Sequence, residues 1–218
     1  MKQPFEAVLF DLDGTLIDSL ADLAAAVNQA LEKAGFAPHP VDAYRLMVGD
    51  GAPVLVQRAL PPSARDPQAI HRLCDAFETY YADHYTDHSR PYEGIVELLD
   101  ALADKGLATA VLSNKPHAAT LRCVSTLLPG HRFAAVLGAR EGVARKPDPA
   151  GALEAAALLG IAPERFVYLG DSGLDMQTAT AAGMLAVGAL WGFRGEAELR
   201  DAGAHLLVRH PLALLAHL

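Results

Sequence analysis

The sequence predicts an α/β protein: a Rossmann-like parallel sheet with helices on both faces, into which an all-helical domain is inserted. Three observations predict it. The apolar run Ala7 to Phe10 stops at an acidic residue, as a fully buried parallel strand does where its loop begins. After Pro91, helical and strand-like segments alternate, which is the βαβ pattern of a parallel sheet. Between these regions, residues 18–89 carry helical spacing without strand-like alternation.

The elements follow in order. Ser19 to Ala34 places apolar residues at helical spacing and ends at Gly35, a helix stop signal. Further helices are expected at Val41 to Met47, Ala52 to Leu60 and Pro67 to Tyr85. The alternation then runs through helix Ile95 to Lys105, strand Leu107 to Leu112, helix His117 to Leu128, strand Phe133 to Leu137, helix Pro149 to Leu159 and strand Phe166 to Leu169. A helix at Gly173 to Ala182, strands at Leu185 to Val187 and Leu206 to Val208, and a helix at Leu212 to Ala216 complete the series. Residues 1–17 and 90–218 are therefore expected to form the core and 18–89 a helical cap. No repeat or low-complexity tract interrupts them.

Composition excludes several classes. Half of the 218 residues are apolar and 20% are charged, as in an ordinary globular chain rather than a disordered one. Cys74 and Cys123 are too far apart in sequence to signal a zinc site or a disulfide framework. Met1 to Phe10 lacks a leader's charge and apolar blocks, and no stretch approaches the ~20 apolar residues of a membrane helix. Cytoplasmic residence is the default expectation, with no membrane partner. A net charge of −8 disfavours nucleic acid and weakly repels anions at long range, so an anion site must supply its own positive charge.

Two acidic constellations carry chemistry. Asp11-Leu12-Asp13-Gly14-Thr15-Leu16 puts two carboxylates at a strand's end before a turn; read alone, it is also an ordinary Asx turn. Gly170-Asp171-Ser172-Gly173-Leu174-Asp175 repeats the arrangement at a helix start, where acids also serve as caps and suit the helix dipole. Carboxylates crowded at adjacent strand ends repel by about 4 kcal/mol per pair at ~4 Å and an effective dielectric of ~20. Such a cluster asks for a cation, and an all-oxygen donor set is the Mg²⁺ pattern rather than that of zinc. Ser113-Asn114-Lys115 follows a strand and suits phosphate oxygens, although a plain Ser/Asn turn reads the same way. Lys146, in a Pro-bounded segment before a helix, would by itself be taken as a surface charge. The order of the four groups along a parallel sheet, where ligands bind at strand carboxyl ends, favours a phosphoryl-transfer site.

With those residues in place, the chain resembles the haloacid dehalogenase superfamily over its whole length. Asp11 and Asp13 match its DxDGT motif, Ser113 its second motif, Lys146 its third, and Asp171 with Asp175 its GDSxxD motif. The resemblance implies that Asp11 attacks phosphorus and that Asp13 protonates the leaving oxygen and later activates water. It assigns Mg²⁺ to the carboxylates of Asp11 and Asp171 and the Asp13 carbonyl, with Asp175 acting through water. Lys146 is expected to neutralise the transferring group, while Gly14, Ser113 and the Asn114 amide help to hold phosphate.

The helical insertion resembles the cap of the branch containing the phosphoglycolate phosphatases, whose DLDGTLIDS opening, VGDGAPVLVQRAL segment and late ALWGFRG stretch this chain shares. That implies a small phosphorylated metabolite, 2-phosphoglycolate first, and points to Gly49, Asp50, Gly51 and Arg45 as cap-loop candidates. Asp13 argues against the dehalogenases, which lack a second aspartate there. The absence of lysine between Lys33 and Lys105 argues against a Schiff-base phosphonate hydrolase. A β-phosphoglucomutase-like transferase, or a binding protein on the same scaffold, is the remaining alternative.

Overall fold

The computed structural model describes residues 5–218; the first part of the Met1 to Phe10 segment read above as lacking a leader lies outside them. The chain divides into two compact units, one running to Ile17 and resuming at Pro91, the other spanning Asp18–Arg90.

In the first unit, β1 (Ala7–Phe10), β4 (Ala108–Pro116), β5 (Ala135–Ala139), β6 (Phe166–Gly170), β7 (Leu185–Ala189) and β8 (Leu206–Val208) form a six-stranded sheet in the order β5-β4-β1-β6-β7-β8. Every pairing is parallel, and the predicted α/β fold, with helices on both faces, is what the chain adopts. All four β1 residues are fully buried, because a strand covered on both faces has no polar side. The pleat sends alternate residues to opposite faces. Ala7 and Leu9 join Ala110, Leu112, Phe166 and Tyr168 under Ala152, Ala155 and Ala156 of α6 (Ala150–Leu159) and Met176 and Ala179 of α7 (Gly173–Ala181). The alanines let these helices approach the sheet closely. Helices α4 (Ile95–Asp104) and α5 (His117–Leu127) pack against β4.

Phe10 aligns with Val111 of β4 and with Leu169 of β6. The register therefore brings the carboxyl ends of β1 and β6 level, with β4 running on past them on the other side of β1. The chain leaves β1 for β4 and β5 on one side and returns to β6 on the other, the switch in strand order at which open α/β sheets bind ligands.

The second unit holds α1 (Leu20–Lys33), a 3₁₀ helix at Val41–Leu46, α2 (Ala52–Ala59) and α3 (Pro67–His84). Leu23, Val27 and Leu31 of α1 are buried with Leu55 and Val56 of α2 and Leu73, Phe77 and Tyr81 of α3. Asp66 caps α3, its Oδ1 accepting from Gln68 N at 3.1 Å and Ala69 N at 3.0 Å. Asn28 exchanges two bonds with the His39 backbone and accepts from the buried Tyr44 hydroxyl at 2.6 Å. Asp22, 2% exposed, accepts from both backbone amides and both side chains of His88 and Ser89, at 2.7–3.1 Å. It ties the start of α1 to the segment leaving the helical unit. The two crossing segments, β2 (Ile17–Asp18) and β3 (Arg90–Pro91), form their own two-stranded pairing.

Five details differ from the sequence expectation. Residues 41–46 and 211–217 form 3₁₀ rather than α-helix, both opening on a Pro-bounded turn too short to establish an α-helical ladder. The short α8 (Glu196–Asp201) and the β2/β3 pairing were not anticipated. Strand β4 continues past Leu112 to Pro116 through an irregularity in its pairing with β5. Ser113, Asn114 and Lys115 are thus part of the strand rather than of the loop behind it.

Candidate active site

Strand β1 ends with its last carbonyl behind Asp11, whose backbone N–H donates to Leu169 O at 2.9 Å. This fixes Asp11 against β6, and its carboxylate is buried. Two residues on, the chain turns sharply. Gly14 has φ +93°, and a Cβ there would overlap the Asp171 carboxylate, so only glycine lets the loop run this close.

Strand β6 delivers the second acidic pair. Asp171, 2% exposed, accepts from Phe193 N at 2.6 Å and from Thr15 Oγ1 at 3.3 Å. Asp175 sits in the first turn of α7 with no exposed surface. Its Oδ2 accepts from Ser172 N at 3.0 Å and Ser172 Oγ at 2.6 Å, while its Oδ1 faces Lys146 Nζ at 2.6 Å and the Tyr168 hydroxyl at 3.2 Å. The capping role considered for Asp175 and a role in the site are therefore carried by different oxygens of one carboxylate.

Lys146 arrives from the loop before α6. Its ammonium, with 4% of the side chain exposed, contacts Asp11 Oδ1 at 2.7 Å, Asp175 Oδ1 at 2.6 Å and the Leu112 carbonyl at 3.4 Å. Asn114 holds that loop in place: its side chain accepts from Lys146 N at 3.0 Å and donates to Lys146 O at 3.2 Å. Ser113 is buried, and its hydroxyl oxygen accepts from Lys115 N at 3.1 Å.

Charge is concentrated here. Burial pushes the Asp11 carboxyl well above the usual range, the Asp175 and Asp171 carboxylates add to this, and Lys146 only partly offsets them. Burial and Asp175 push Asp171 up to about 7, against the Phe193 amide, Lys146 and Arg194. Burial alone would lower the Lys146 pKa, but Asp11 and Asp175 raise it well above normal. Three buried carboxylates, each with an oxygen within 4.8 Å of the others, thus crowd together, with Lys146 in contact with Asp11 and Asp175 and Arg194 acting on Asp171. An oxygen-only donor set carrying surplus negative charge fits a hard divalent cation. Of the three, Asp175 already takes two donors on each oxygen, from Lys146, Tyr168 and Ser172, whereas each Asp171 oxygen takes one, so Asp11 and Asp171 are the better placed ligands.

The sequence-selected residues Asp11, Lys146, Asp171 and Asp175 meet in space, although up to 164 positions separate them (Asp175 from Asp11). Asp13 lies at the same strand end but engages another partner, Lys115, whose Nζ is 3.0 Å from both Asp13 oxygens. The sequence assigns no role of its own to Lys115 or Thr15 within their motifs, nor to Tyr168 or to Trp191, whose indole N–H donates to Thr15 O at 3.0 Å. Only the adjacency of Lys115 to Ser113 and Asn114 signalled it. The remaining candidates belong to the helical unit: Arg45 pairs with Asp42 at 3.4 Å, Asp50 pairs with Arg58 at 2.6 Å, and Gly49 and Gly51 hold φ of +127° and +90° around Asp50. Among the described residues, no helix is long and apolar enough to cross a membrane.

Residues 8–189 match the family model described as haloacid dehalogenase-like hydrolase. A phosphoglycolate phosphatase of Pseudomonas fluorescens (strain Pf0-1) is 35% identical over 206 residues, covering 92% of this chain and 75% of the relative. One from Neisseria meningitidis serogroup A is 38% identical over 192 residues, covering 86% of this chain and 81% of the relative. A crystal structure from Lactobacillus delbrueckii subsp. bulgaricus, assigned as a phosphoglycolate phosphatase, superposes with a TM-score of 0.92 at 34% identity and covers 97% of each chain. This chain belongs to the haloacid dehalogenase-like hydrolase family and is an enzyme of that family.

Proposed function

We propose that this protein hydrolyses a small phosphate monoester, with 2-phosphoglycolate as its substrate, through an aspartyl-phosphate on Asp11. The observation that carries the reading is the contact of the buried Lys146 ammonium with Asp11 Oδ1 at 2.7 Å. It holds one carboxylate oxygen and leaves the other to attack, beside a cluster suited to a divalent cation. Relatives named phosphoglycolate phosphatase, matched over most of their length, support the choice of substrate.

In the first half-reaction an Asp11 oxygen forms a bond to phosphorus. The ester P–O bond breaks, its electron pair goes to the leaving oxygen, and the Asp13 carboxyl supplies that oxygen with a proton. In the second half, water attacks phosphorus as Asp13 takes its proton, and the Asp11–phosphorus bond breaks to release inorganic phosphate. Lys146 stabilises the nucleophile and the charge on the transferring oxygens. The Ser113 oxygen already accepts a bond from Lys115 N, so its proton is directed to a phosphate oxygen. The Asn114 side chain is spent on the Lys146 loop, which leaves phosphate contact to its backbone N–H. Asp11, Asp171 and the Asp13 carbonyl are the groups that would hold Mg²⁺, which when bound would offset phosphate charge. The helical unit, inserted just after the first motif, is assigned the substrate-selecting cap role.

The test is phosphate release with Mg²⁺ across 2-phosphoglycolate, sugar phosphates and nucleotides. Preference for 2-phosphoglycolate, abolished by Asp11→Asn, supports the reading. Isomerised sugar phosphate without phosphate release would replace it with a transferase, and turnover surviving Asp11→Asn would remove the aspartyl-phosphate.

A further inference from the structure

Lys115 has a setting that the four sequence motifs do not explain. Its ammonium lies 3.0 Å from Oδ1 and 3.0 Å from Oδ2 of Asp13, and the two side chains are only 7% and 13% exposed. The main chain that carries it is held on three sides. Lys115 N donates to Ser113 Oγ at 3.1 Å, Lys115 O accepts from Thr120 Oγ1 at 3.1 Å, and any side chain at Gly138 of β5 would collide with that carbonyl. Asp13, by contrast, lies in the turn after β1, where Gly14 N bonds to Ile17 O at 2.9 Å. A side chain anchored in a sheet therefore grips one carried by a loop, and it grips both oxygens, which fixes the orientation of the carboxyl plane as well as its location.

Such a grip matters for proton transfer. A general acid or base must lie within hydrogen-bond reach of the atom it serves, and a misplacement of about 1 Å can cost about 10²-fold in rate. A side chain on a loop keeps that geometry only if something else locks its rotamer. We propose that Lys115 is a positioning residue for Asp13, holding its carboxyl group where the ester's leaving oxygen departs. The proposal rests on the phosphate monoester reading above. In the step concerned, the P–O bond breaks, its electron pair passes to the leaving oxygen, and the Asp13 proton follows. A leaving group that departs as a stable anion needs little of that proton. The cost of losing Lys115 then depends on the leaving group, whereas loss of mere charge neutralisation or of fold would weaken every ester alike.

The experiment compares kcat/KM, which reports the first half-reaction, for an alkyl ester that the wild type turns over and for p-nitrophenyl phosphate. Lys115→Met is expected to lower the alkyl value by about 10²-fold and the p-nitrophenyl value by less than about fivefold. Lys115→Arg, which keeps a cation able to bind both oxygens, should restore at least about tenfold of the alkyl loss. The double variant Asp13→Asn with Lys115→Met leaves no unpaired charge, so it remains informative if Lys115→Met alone does not fold. It should be no slower on the alkyl ester than Asp13→Asn alone. Equal losses on both esters, or a double variant clearly slower than Asp13→Asn, would overturn the role for Lys115 while leaving the phosphatase reading intact. A wild type that releases phosphate from neither ester would overturn both.

Discussion

Lys146 reaches across 135 positions of sequence to place its ammonium 2.7 Å from Asp11, in a site where neither side chain is more than one-tenth exposed. The same ammonium serves Asp175. Replacing Lys146 by Met leaves two buried carboxylates without their cation, and breaking a buried pair in this way typically costs about 3–5 kcal/mol. Urea unfolding should register a loss of that size, with turnover falling by at least about 10²-fold.

Asp171 makes stability depend on pH and metal in a defined direction. Its folded pKa of about 7 exceeds the ordinary ~3.9, so it gains affinity for a proton on folding. Its contribution is fully favourable below about pH 4 and is lost as pH rises to about 7. Metal-free protein should therefore gain more in Tm from Mg²⁺ near pH 8 than near pH 5, because protons and cation compete for the same carboxylates. Differential scanning calorimetry of wild type against Asp171→Asn checks this, and both dependences should be weaker in the variant, with the remainder due to Asp11.

Asp22 has the opposite sign. Burial raises its pKa, but bonds from Ser89 and His88 together outweigh that and hold it below the ordinary value. The stability it supplies is present above about pH 4 and disappears as pH falls through the depressed folded pKa. Asp22→Ala strands the two buried Ser89 donors and should cost about 3 kcal/mol near neutral pH, with the gap to wild type closing in acid-unfolding titrations.

Gly14→Ala meets two obstacles, a φ of +93° and overlap with the Asp171 carboxylate. The loop must shift away from β6, so activity should drop at least about 10²-fold, with a Tm loss corresponding to about 1–3 kcal/mol.

Trp191 is the single tryptophan of the sequence, and its indole N–H bonds to Thr15 O. Titration with Mg²⁺ or a phosphate analogue should change its emission, because ligands at Asp11 and Asp171 reorder the loop it holds. Emission that stays constant while a calorimeter records binding would count against that coupling.

The sequence by itself determined the six strands of the main sheet, apart from the far end of β4, and the acidic and lysine motifs with the order in which they occur. Ala7 to Phe10 reads as a buried strand because a parallel strand covered on both faces cannot afford polar side chains, and Asp11 and Asp171 stand out because acids are abrupt after such runs. Those signals are local, written in a few consecutive residues. Tertiary structure alone decided which motifs share a strand edge, that Asn114 braces Lys146 rather than standing apart from it, and that Lys115 grips Asp13 across 102 positions. It also decided that Asp22 gathers His88 and Ser89. Contacts of this kind leave no periodicity in the sequence. A lysine paired in the interior and a lysine in solvent are spelled alike, and only the register of β1 with β4 and β6 brings each side chain to its partner.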